Sequence, residues 1–317
     1  MSASILDLAQ VPHHIQPYVK QLQAYVSPTP EYSIASFPSK YATYPKPRLA
    51  AVLILLYHDT KDDSIRVTLT TRSMSLRSHP GQVALPGGKS DPDDKTPVFT
   101  ALREAHEEIG LPTPHPSIHI LTTLPAQISL YKIIVTPVVA YLSDPTTVLP
   151  QLKANPDEVD EIFDWRLDAF LDPSLVPRCR HETKDIPWVS DTQWREHIFQ
   201  RPTTKSSSKL PAPIKGLTAD ILILAAQVAY APLLTSYERW APRQPHTTEV
   251  AIQWVMEEAK RVGGFKTTMK QDLGLPTALV MPRDDQTSSA SRKPTSPLAT
   301  TGAPTAIVLS EEILSPA

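Results

Sequence analysis

The stretch Gly87-Gly-Lys-Ser-Asp-Pro-Asp-Asp94, then eight residues, then Arg103-Glu-Ala-His-Glu-Glu-Ile-Gly-Leu111 decides the fold of this chain. It has the pattern of a loop that leads into a helix. Thr96 suits the N-cap position, and Pro97 suits the first helical position. Gly110 follows the last periodic residue, as is typical of a helix end. The stretch therefore predicts a helix from about residue 97 to residue 109.

The predicted helix has one apolar stripe and one acidic face. The stripe recurs at spacings of three or four residues and consists of Val98, Leu102, Ala105 and Ile109. On another face, Glu104, Glu107 and Glu108 stand at i, i+3 and i+4. Like charges at this spacing destabilise a bare helix by roughly 0.2 to 0.5 kcal/mol per pair. The acidic face therefore needs either a cation or good solvation.

A hard divalent cation, Mg²⁺ or Mn²⁺, suits these glutamates because such ions prefer carboxylate oxygen. Arg103 lies four residues before Glu107 and is placed to hold its carboxylate. The alternative for an isolated cluster of this kind is a solvated acidic helix face with one surface ion pair. The residues around the cluster favour the metal site, since an arginine, three glutamates and a glycine at these spacings rarely coincide by chance.

The arrangement RExxEExGL after a Pro-Gly-Gly turn resembles the signature of the Nudix hydrolases, which cleave nucleoside diphosphates linked to another group. The sequence departs from the general pattern in two ways. Asp94 stands where that pattern has Glu, and the gap from Asp94 to Arg103 is one residue longer. Both departures resemble one subfamily, the coenzyme A pyrophosphatases.

A second motif upstream is also similar to that subfamily. It comprises Leu69-Thr-Thr-Arg-Ser73, Arg77, Gly81 and Pro86-Gly-Gly88. Gly216-Leu-Thr-Ala219 is a weaker match to the same subfamily. Thr68 and Leu85 differ from the residues usual at their positions, which are Leu and Phe. The resemblance implies a set of substrate-binding residues, and these are Arg72, Arg77, Gly81, Gly87, Gly88 and Lys89. Spacing alone would favour ordinary surface or salt-bridged arginines at positions 72 and 77, and only the resemblance supports a role in substrate binding.

The resemblance implies an α/β fold, an α/β/α sandwich around a mixed β-sheet, with helical N- and C-terminal extensions. It also implies metal-dependent hydrolysis of coenzyme A or an acyl-coenzyme A to 4′-phosphopantetheine and adenosine 3′,5′-bisphosphate. The expected metal ligands are Glu104, Glu107, Glu108 and the Gly87 carbonyl, and the expected cofactor is Mg²⁺ or Mn²⁺. Two alternatives stay open: a Nudix enzyme for ADP-ribose or NADH, and a non-catalytic nucleotide-binding protein.

The expected catalytic residues are the three glutamates, Arg103 and an acidic residue from outside the helix. Nudix enzymes often bring such a residue to the metal or to the attacking water. Glu158 is the first candidate and Glu161 the second, both in the acidic stretch after Asn155. A solvated loop charge is the alternative for Glu158.

A phosphate-cradling P-loop is excluded, although Gly87-Gly-Lys-Ser90 looks like the end of one. Such a loop requires Gly at position 83 and a helix that opens at the lysine. Position 83 is Val, and Asp91-Pro92 obstructs a helix there. His79, His106, His115, His119 and His181 show no spacing typical of zinc ligands, and no CxxC accompanies them.

Composition indicates which partners and which cellular compartment to expect. The 317 residues carry a formal net charge of −2, which gives no broad electrostatic reason to expect nucleic acid or an anionic membrane as a partner. The one cysteine, Cys179, suits a reducing compartment. No secretory signal is evident and no apolar run is long enough to span a bilayer. We therefore expect an intracellular protein, with cytoplasmic, peroxisomal and mitochondrial locations and the oligomeric state left open.

Periodicity predicts the other elements. Strands are expected at 49–57, 65–71, 118–124 and 133–141, with Pro137 at an edge or a bulge, and a further strand through Phe163 and Trp165. Helices are expected at 12–26, 218–231 and 247–262. The predicted organisation is a helix and extended lead-in over 1–44, a Nudix domain over 45–235, a helical extension over 236–270 and a mostly disordered tail over 271–317.

Overall fold

The computed structural model describes residues 6–28, 49–130, 132–203 and 210–261. The lead-in predicted over 27–48 and the predicted tail lie almost wholly outside these ranges. The strands are β1 Leu49–Asp59, β2 Ser64–Arg72, β3 Val83–Ala84, β4 Gly87–Lys89, β5 Ile118–Thr123, β6 Gln127–Ile128, β7 Ile134–Leu142, β8 Val159–Arg166, β9 Arg180–Pro187, β10 Gln193–Gln200 and β11 Ile214–Lys215. The α-helices are α1 Gln16–Ala24, α2 Pro97–Ile109, α3 Pro145–Val148, α4 Gly216–Ala229 and α5 Thr248–Arg261.

The larger sheet is mixed and is centred on β1. Its main path runs β3-β2-β1-β7-β5, with β4 also paired to β1, β6 to β7 and β8 to β2. The pairing of β1 with β7 is parallel, and the other pairings are antiparallel. A second, antiparallel sheet has the order β11-β10-β9. The expected mixed sheet is confirmed.

Strand β1 is buried on both faces, which makes the molecule a three-layered α/β/α structure. Its alternate residues Leu53 and Leu55 pack with the apolar face of α2. Ile54 and Leu56, which point to the other face, pack in the cluster that contains α4 and α1. Side chains alternate across a strand, so a nearly continuous apolar run such as β1 fits a strand with helices on both sides.

Local sequence determines the ends of α2. The side chain of Thr96 accepts a hydrogen bond from the Phe99 N–H at 3.2 Å, and Pro97 opens the helix. Gly110 ends it in the left-handed conformation, with φ of 65°. Ala105 and Ile109 are fully buried, whereas Val98 and Leu102 pack on the same cluster while partly exposed. The predicted bounds of this helix are confirmed.

Several other expectations need correction. Pro137 is not at a sheet edge, because β7 lies between β1 and β5. It stands where the pairing partner of β7 changes from β5 to β6, and its carbonyl accepts from Leu124 N–H, so the missing proline N–H falls at a break in the ladder. Helix α1 begins only at Gln16, and α4 begins at Gly216, two residues early.

The sheet β9-β10-β11 was not predicted. Strand β9 is polar and partly exposed along its length, so it lacks the alternation that identifies a strand. Asp160 and Glu161 also lie within β8 rather than in the loop before it. Within the described ranges, none of the helices combines the length and hydropathy needed to cross a bilayer.

Leu53 offers a test of the central layer. Replacing it by Ala removes a fully buried side chain between β1 and α2. We expect Leu53→Ala to lower the free energy of unfolding by about 2 to 5 kcal/mol, measured by urea denaturation. Leu234→Ala is the matched control, because Leu234 is 80 % exposed and its truncation should change stability by no more than about 0.5 kcal/mol. Equal losses in the two variants would contradict the assigned packing.

Candidate active site

A buried ion pair between Asp94 and Arg103 joins the loop to α2. Arg103 donates from Nε to Asp94 Oδ1 at 3.2 Å and from Nη2 to Asp94 Oδ2 at 2.9 Å. The Asp94 side chain is 2 % exposed, and it also accepts from Thr100 Oγ1 and from the Asp91 N–H. Burial alone would raise the pKa of Asp94, but the hydrogen bonds from Arg103, Asp91 and Thr100 hold that pKa below its usual range.

Arg103 distributes its remaining donors over the acidic face. Its Nη1 donates to Glu107 Oε2 at 3.0 Å, which is the contact expected from their spacing. Its Nη2 lies 3.2 Å from Glu104 Oε1 and donates to the Lys89 carbonyl at 3.1 Å. The guanidinium therefore orients two glutamates while Asp94 holds it in place.

Glu108 is the most deeply buried of the three glutamates, with a side chain 5 % exposed. It accepts from the Gly87 N–H at 3.0 Å, and Arg72 Nη1 lies 3.7 Å from its other oxygen. The pKa of Glu108 is raised to about 7, mainly by burial; the charges of Glu104 and Glu158 add to the rise, while the Gly87 N–H and Arg72 oppose it.

Glu104 lies directly against Gly88. A Cβ atom at position 88 would stand 2.4 Å from the Glu104 carboxylate, so any larger residue there would displace this carboxylate. Burial raises the pKa of Glu104, and Glu107 and Glu158 add to the shift against the effect of Arg103. Gly87 has φ of 152°, and a Cβ on it would meet the Ala51 carbonyl at 2.4 Å.

The carboxylates fit a divalent cation. Glu107 and Glu158 act on Glu104, and Glu104 and Glu158 act on Glu108, through like charge, which disfavours ionisation of Glu104 and Glu108. A bound cation would reverse this effect, since opposite charge favours the ionised carboxylate. The donor set is all oxygen, which suits Mg²⁺ or Mn²⁺. The metal ligands, including the Gly87 carbonyl, remain a prediction.

The structure distinguishes the two candidate outside acids. Glu161 is bound elsewhere, by Arg201 at 3.1 and 3.2 Å and by the Thr71 hydroxyl at 3.1 Å. Glu158 acts electrostatically on both Glu104 and Glu108, and its carbonyl accepts from the Ser73 N–H. The arrangement favours Glu158 as the residue that joins the glutamates.

A cleft of about 440 Å³ lies beside the glutamates. At one end it is lined by Arg72 and by the turn Gly87–Lys89. The rest of its wall is mainly apolar and comes from β1, β7, the loop before β7, the second sheet and the start of α4. These wall residues include Val52, Ile128, Leu130, Ile133, Val135, Ile186, Trp194, Leu217 and Ile221. The cleft can therefore hold a phosphate group near the glutamates and a larger apolar or aromatic group farther in.

The predicted substrate-binding residues separate into two groups. Arg72, Gly87, Gly88 and Lys89 line the cleft. Gly81 instead shapes the loop before β3: its φ is 67°, and its N–H donates to the Arg72 carbonyl. Arg77 is exposed in the same loop and does not line the cleft. The structure therefore does not bring Arg77 to the site.

The sequence analysis missed polar residues on the far wall of the cleft. Trp194 donates from its indole N–H to Asp220 at 3.1 Å, and Lys215 lies 3.5 Å from Glu196. Burial raises the pKa of Asp220 to about 7, with Trp194 opposing the shift. Asp220 directly follows Gly216–Ala219, the weaker match to the subfamily. This match was the one signal in the sequence that could have indicated the far wall of the cleft.

Comparison with known proteins agrees with this geometry. The family model described as the NUDIX domain matches residues 47–185. A Nudix hydrolase NudL of Enterobacter sp. is 33 % identical over 193 residues, which cover 58 % of this chain and 85 % of that protein. This chain belongs to the Nudix family. Nudix hydrolases generally use divalent metals such as Mg²⁺ or Mn²⁺, and the sandwich described above is the Nudix fold.

This chain covers a smaller share of the length of two eukaryotic relatives. Nudix hydrolase 15, mitochondrial, of Arabidopsis thaliana is 39 % identical over 58 % of this chain and 60 % of that protein. The peroxisomal coenzyme A diphosphatase ndx-8 of Caenorhabditis elegans is 36 % identical over 48 % of this chain and 58 % of that protein. The Nudix chain thus spans about three fifths of the length of these relatives.

Glu108 predicts a pH dependence of stability in the metal-free protein. Its pKa is raised from 4.5 to about 7, so the folded state binds this proton more tightly than the unfolded chain. Its contribution to stability is present below the unfolded pKa and is lost as the pH rises towards 7. In EDTA, the free energy of unfolding of Glu108→Gln, relative to that of the wild type, should therefore increase when the pH is raised from about 5 to about 8.

Urea unfolding of both proteins at the two pH values measures this change. Mg²⁺ added at the higher pH should favour the wild type, because a cation stabilises the ionised carboxylate. A stability difference that stays constant with pH would contradict the assigned burial of Glu108.

Proposed function

We propose that this protein hydrolyses the diphosphate of coenzyme A or an acyl-coenzyme A, with release of 4′-phosphopantetheine and adenosine 3′,5′-bisphosphate. The observation that carries the proposal is that Arg72, Gly87 and Gly88 line the cleft and also contact the glutamates: Arg72 and Gly87 contact Glu108, and Gly88 lies against Glu104. A nucleoside diphosphate derivative matches both halves of this site, because it joins anionic phosphates to a larger organic group.

Glu104, Glu107 and Glu108 would hold Mg²⁺ or Mn²⁺, with the Gly87 carbonyl as a further candidate ligand. The metal, when bound, neutralises the diphosphate and lowers the pKa of a coordinated water. Arg103 acts on the ligands rather than on the substrate, because its donors are taken by Asp94, the Lys89 carbonyl and two glutamates. It would hold the carboxylates of Glu104 and Glu107 in place through these contacts.

The phosphates of the substrate would contact Arg72. Its guanidinium lies at the cleft wall and faces Glu108 at 3.7 Å without close pairing, which leaves donors for phosphate oxygens. Glu158 would accept the proton of the attacking water, because its charge acts on both Glu104 and Glu108 and a general base must lie close to the proton that it removes. The apolar wall would bury the pantetheine or the adenine part.

Two observations support coenzyme A within this class. The motif from Leu69 to Gly88 resembles the coenzyme A pyrophosphatases, and the relative from C. elegans is named a coenzyme A diphosphatase. An intracellular location belongs to the same proposal, because the names of two relatives place them in mitochondria and peroxisomes. The substrate is proposed to be a small molecule, without nucleic acid or membrane as a partner.

Glu107→Gln tests the proposal. We expect the purified wild type to release adenosine 3′,5′-bisphosphate from coenzyme A only when Mg²⁺ or Mn²⁺ is present, as measured by chromatography of the products. Glu107→Gln should lower this turnover by roughly a hundredfold or more, because it removes a metal ligand. It should leave folding intact, since an exposed i, i+4 ion pair contributes only about 0.3 to 0.5 kcal/mol.

Glu257→Gln is the matched control, because Glu257 is an exposed glutamate of α5 outside the cleft wall. It should keep wild-type turnover. ADP-ribose and NADH belong in the same assay. Cleavage of either of them, but not of coenzyme A, would be consistent with the metal site and would refute coenzyme A as the substrate. Normal turnover in Glu107→Gln would refute the metal assignment.

A further inference from the structure

Two histidines and one aspartate converge at the hairpin between β1 and β2. His14 Nε2 lies 2.9 Å from Asp63 Oδ1, and His58 Nε2 lies 2.8 Å from the same oxygen. The three ligand atoms all lie within 4.8 Å of one another. His14 comes from the segment before α1, His58 from the end of β1 and Asp63 from the turn before β2. None of the three belongs to α2 or lines the cleft.

Two neighbouring aspartates, Asp59 and Asp62, are already paired with arginine. Arg66 contacts Asp59 at 3.4 Å and Asp62 at 2.5 Å. Arg166 also contacts Asp62, at 3.4 Å. Within the described residues Asp63 has no arginine or lysine partner, and its carboxylate contacts only the two imidazoles. Its negative charge is therefore available to a cation that binds between the histidines.

We propose that His14, His58 and Asp63 bind one transition-metal dication, of which Zn²⁺ is the best match. Imidazole nitrogen with one carboxylate oxygen is a donor set that zinc accepts, whereas Mg²⁺ prefers oxygen alone. The site is thus chemically distinct from the all-oxygen glutamate site on α2.

The spacing of the ligands is close to what zinc requires. Zinc bonds of about 2.0 to 2.2 Å in a tetrahedron separate neighbouring ligand atoms by roughly 3.3 Å. The two histidine–Asp63 separations of 2.8 and 2.9 Å need to open by only about half an ångström, and the two imidazole nitrogens lie within 4.8 Å of each other. His14 and Asp63 have side chains 47 % and 68 % exposed, which permits this movement and leaves room for water as the fourth ligand.

Such a metal would join two segments that are distant in sequence. Val11, Ile15, Val19 and Leu22 already attach the N-terminal segment to the core through buried apolar contacts. A metal bound to His14 from this segment, and to the β1–β2 hairpin, would add a second attachment. Because metal binding to the folded state alone stabilises it, the bound ion should raise the thermal stability of the protein.

The test uses the full chain without a polyhistidine tag, stripped with EDTA and returned to millimolar Mg²⁺ to occupy the glutamate site. Calorimetric titration with Zn²⁺ should show one tight site in the wild type. His14→Ala and Asp63→Asn should each weaken it by at least about tenfold, since each removes a ligand. Asn suits position 63, where φ is 55°, because Asn tolerates the left-handed region.

His13→Ala is the matched control, because His13 is the exposed neighbour of His14 and lies outside the cluster. It should bind Zn²⁺ like the wild type. The melting temperature should rise with Zn²⁺ in wild type and His13→Ala, but not in His14→Ala or Asp63→Asn. Equal zinc affinity in all four proteins would overturn the proposal, as would the absence of a tight zinc site in the wild type. Neither readout depends on hydrolase activity.

Discussion

The buried pair between Asp94 and Arg103 is the interaction on which the candidate site depends. The Asp94 side chain is 2 % exposed and the Arg103 side chain 21 %, so removal of Asp94 would leave a partly buried guanidinium without its closest counter-charge. Here the pair also fixes a position, since the guanidinium held by Asp94 contacts Glu104, Glu107 and the Lys89 carbonyl. The loop, the helix and the turn beside the cleft are thus joined at one side chain.

Glu108 makes the corresponding connection to the sheet. Its carboxylate accepts from Gly87, whose strand β4 pairs with the central strand β1, and its carbonyl accepts from the Asn155 N–H at the start of the acidic loop. This loop carries Glu158. Backbone contacts therefore hold Glu108 and the loop that carries Glu158, and a bound cation would further stabilise the ionised glutamates.

The parts that could be predicted from the sequence are those encoded locally. Thr96, Pro97 and Gly110 set the ends of α2, and the apolar run of β1 indicated a central strand. Asp94 was recognised only as a departure from the family pattern, because its role depends on a contact across nine residues. The polar strand β9 and the Trp194–Asp220 contact gave no periodic signal. The cluster of His14, His58 and Asp63 forms only when the N-terminal segment meets the β1–β2 hairpin, so ligand spacing could not reveal it.

The most direct test of this account measures Mn²⁺ affinity by electron paramagnetic resonance in Asp94→Asn and in Asp91→Asn. Each variant removes one negative charge near Arg103, but the Asp91 side chain is 64 % exposed and 3.7 Å from the guanidinium, whereas Asp94 holds it by two hydrogen bonds. The account predicts that folded Asp94→Asn loses about tenfold or more in Mn²⁺ affinity, as expected when a partner that orients metal ligands is removed. Asp91→Asn should change by less than about twofold, as expected of an exposed pair. Wild-type affinity in Asp94→Asn would contradict the claim that this pair organises the site.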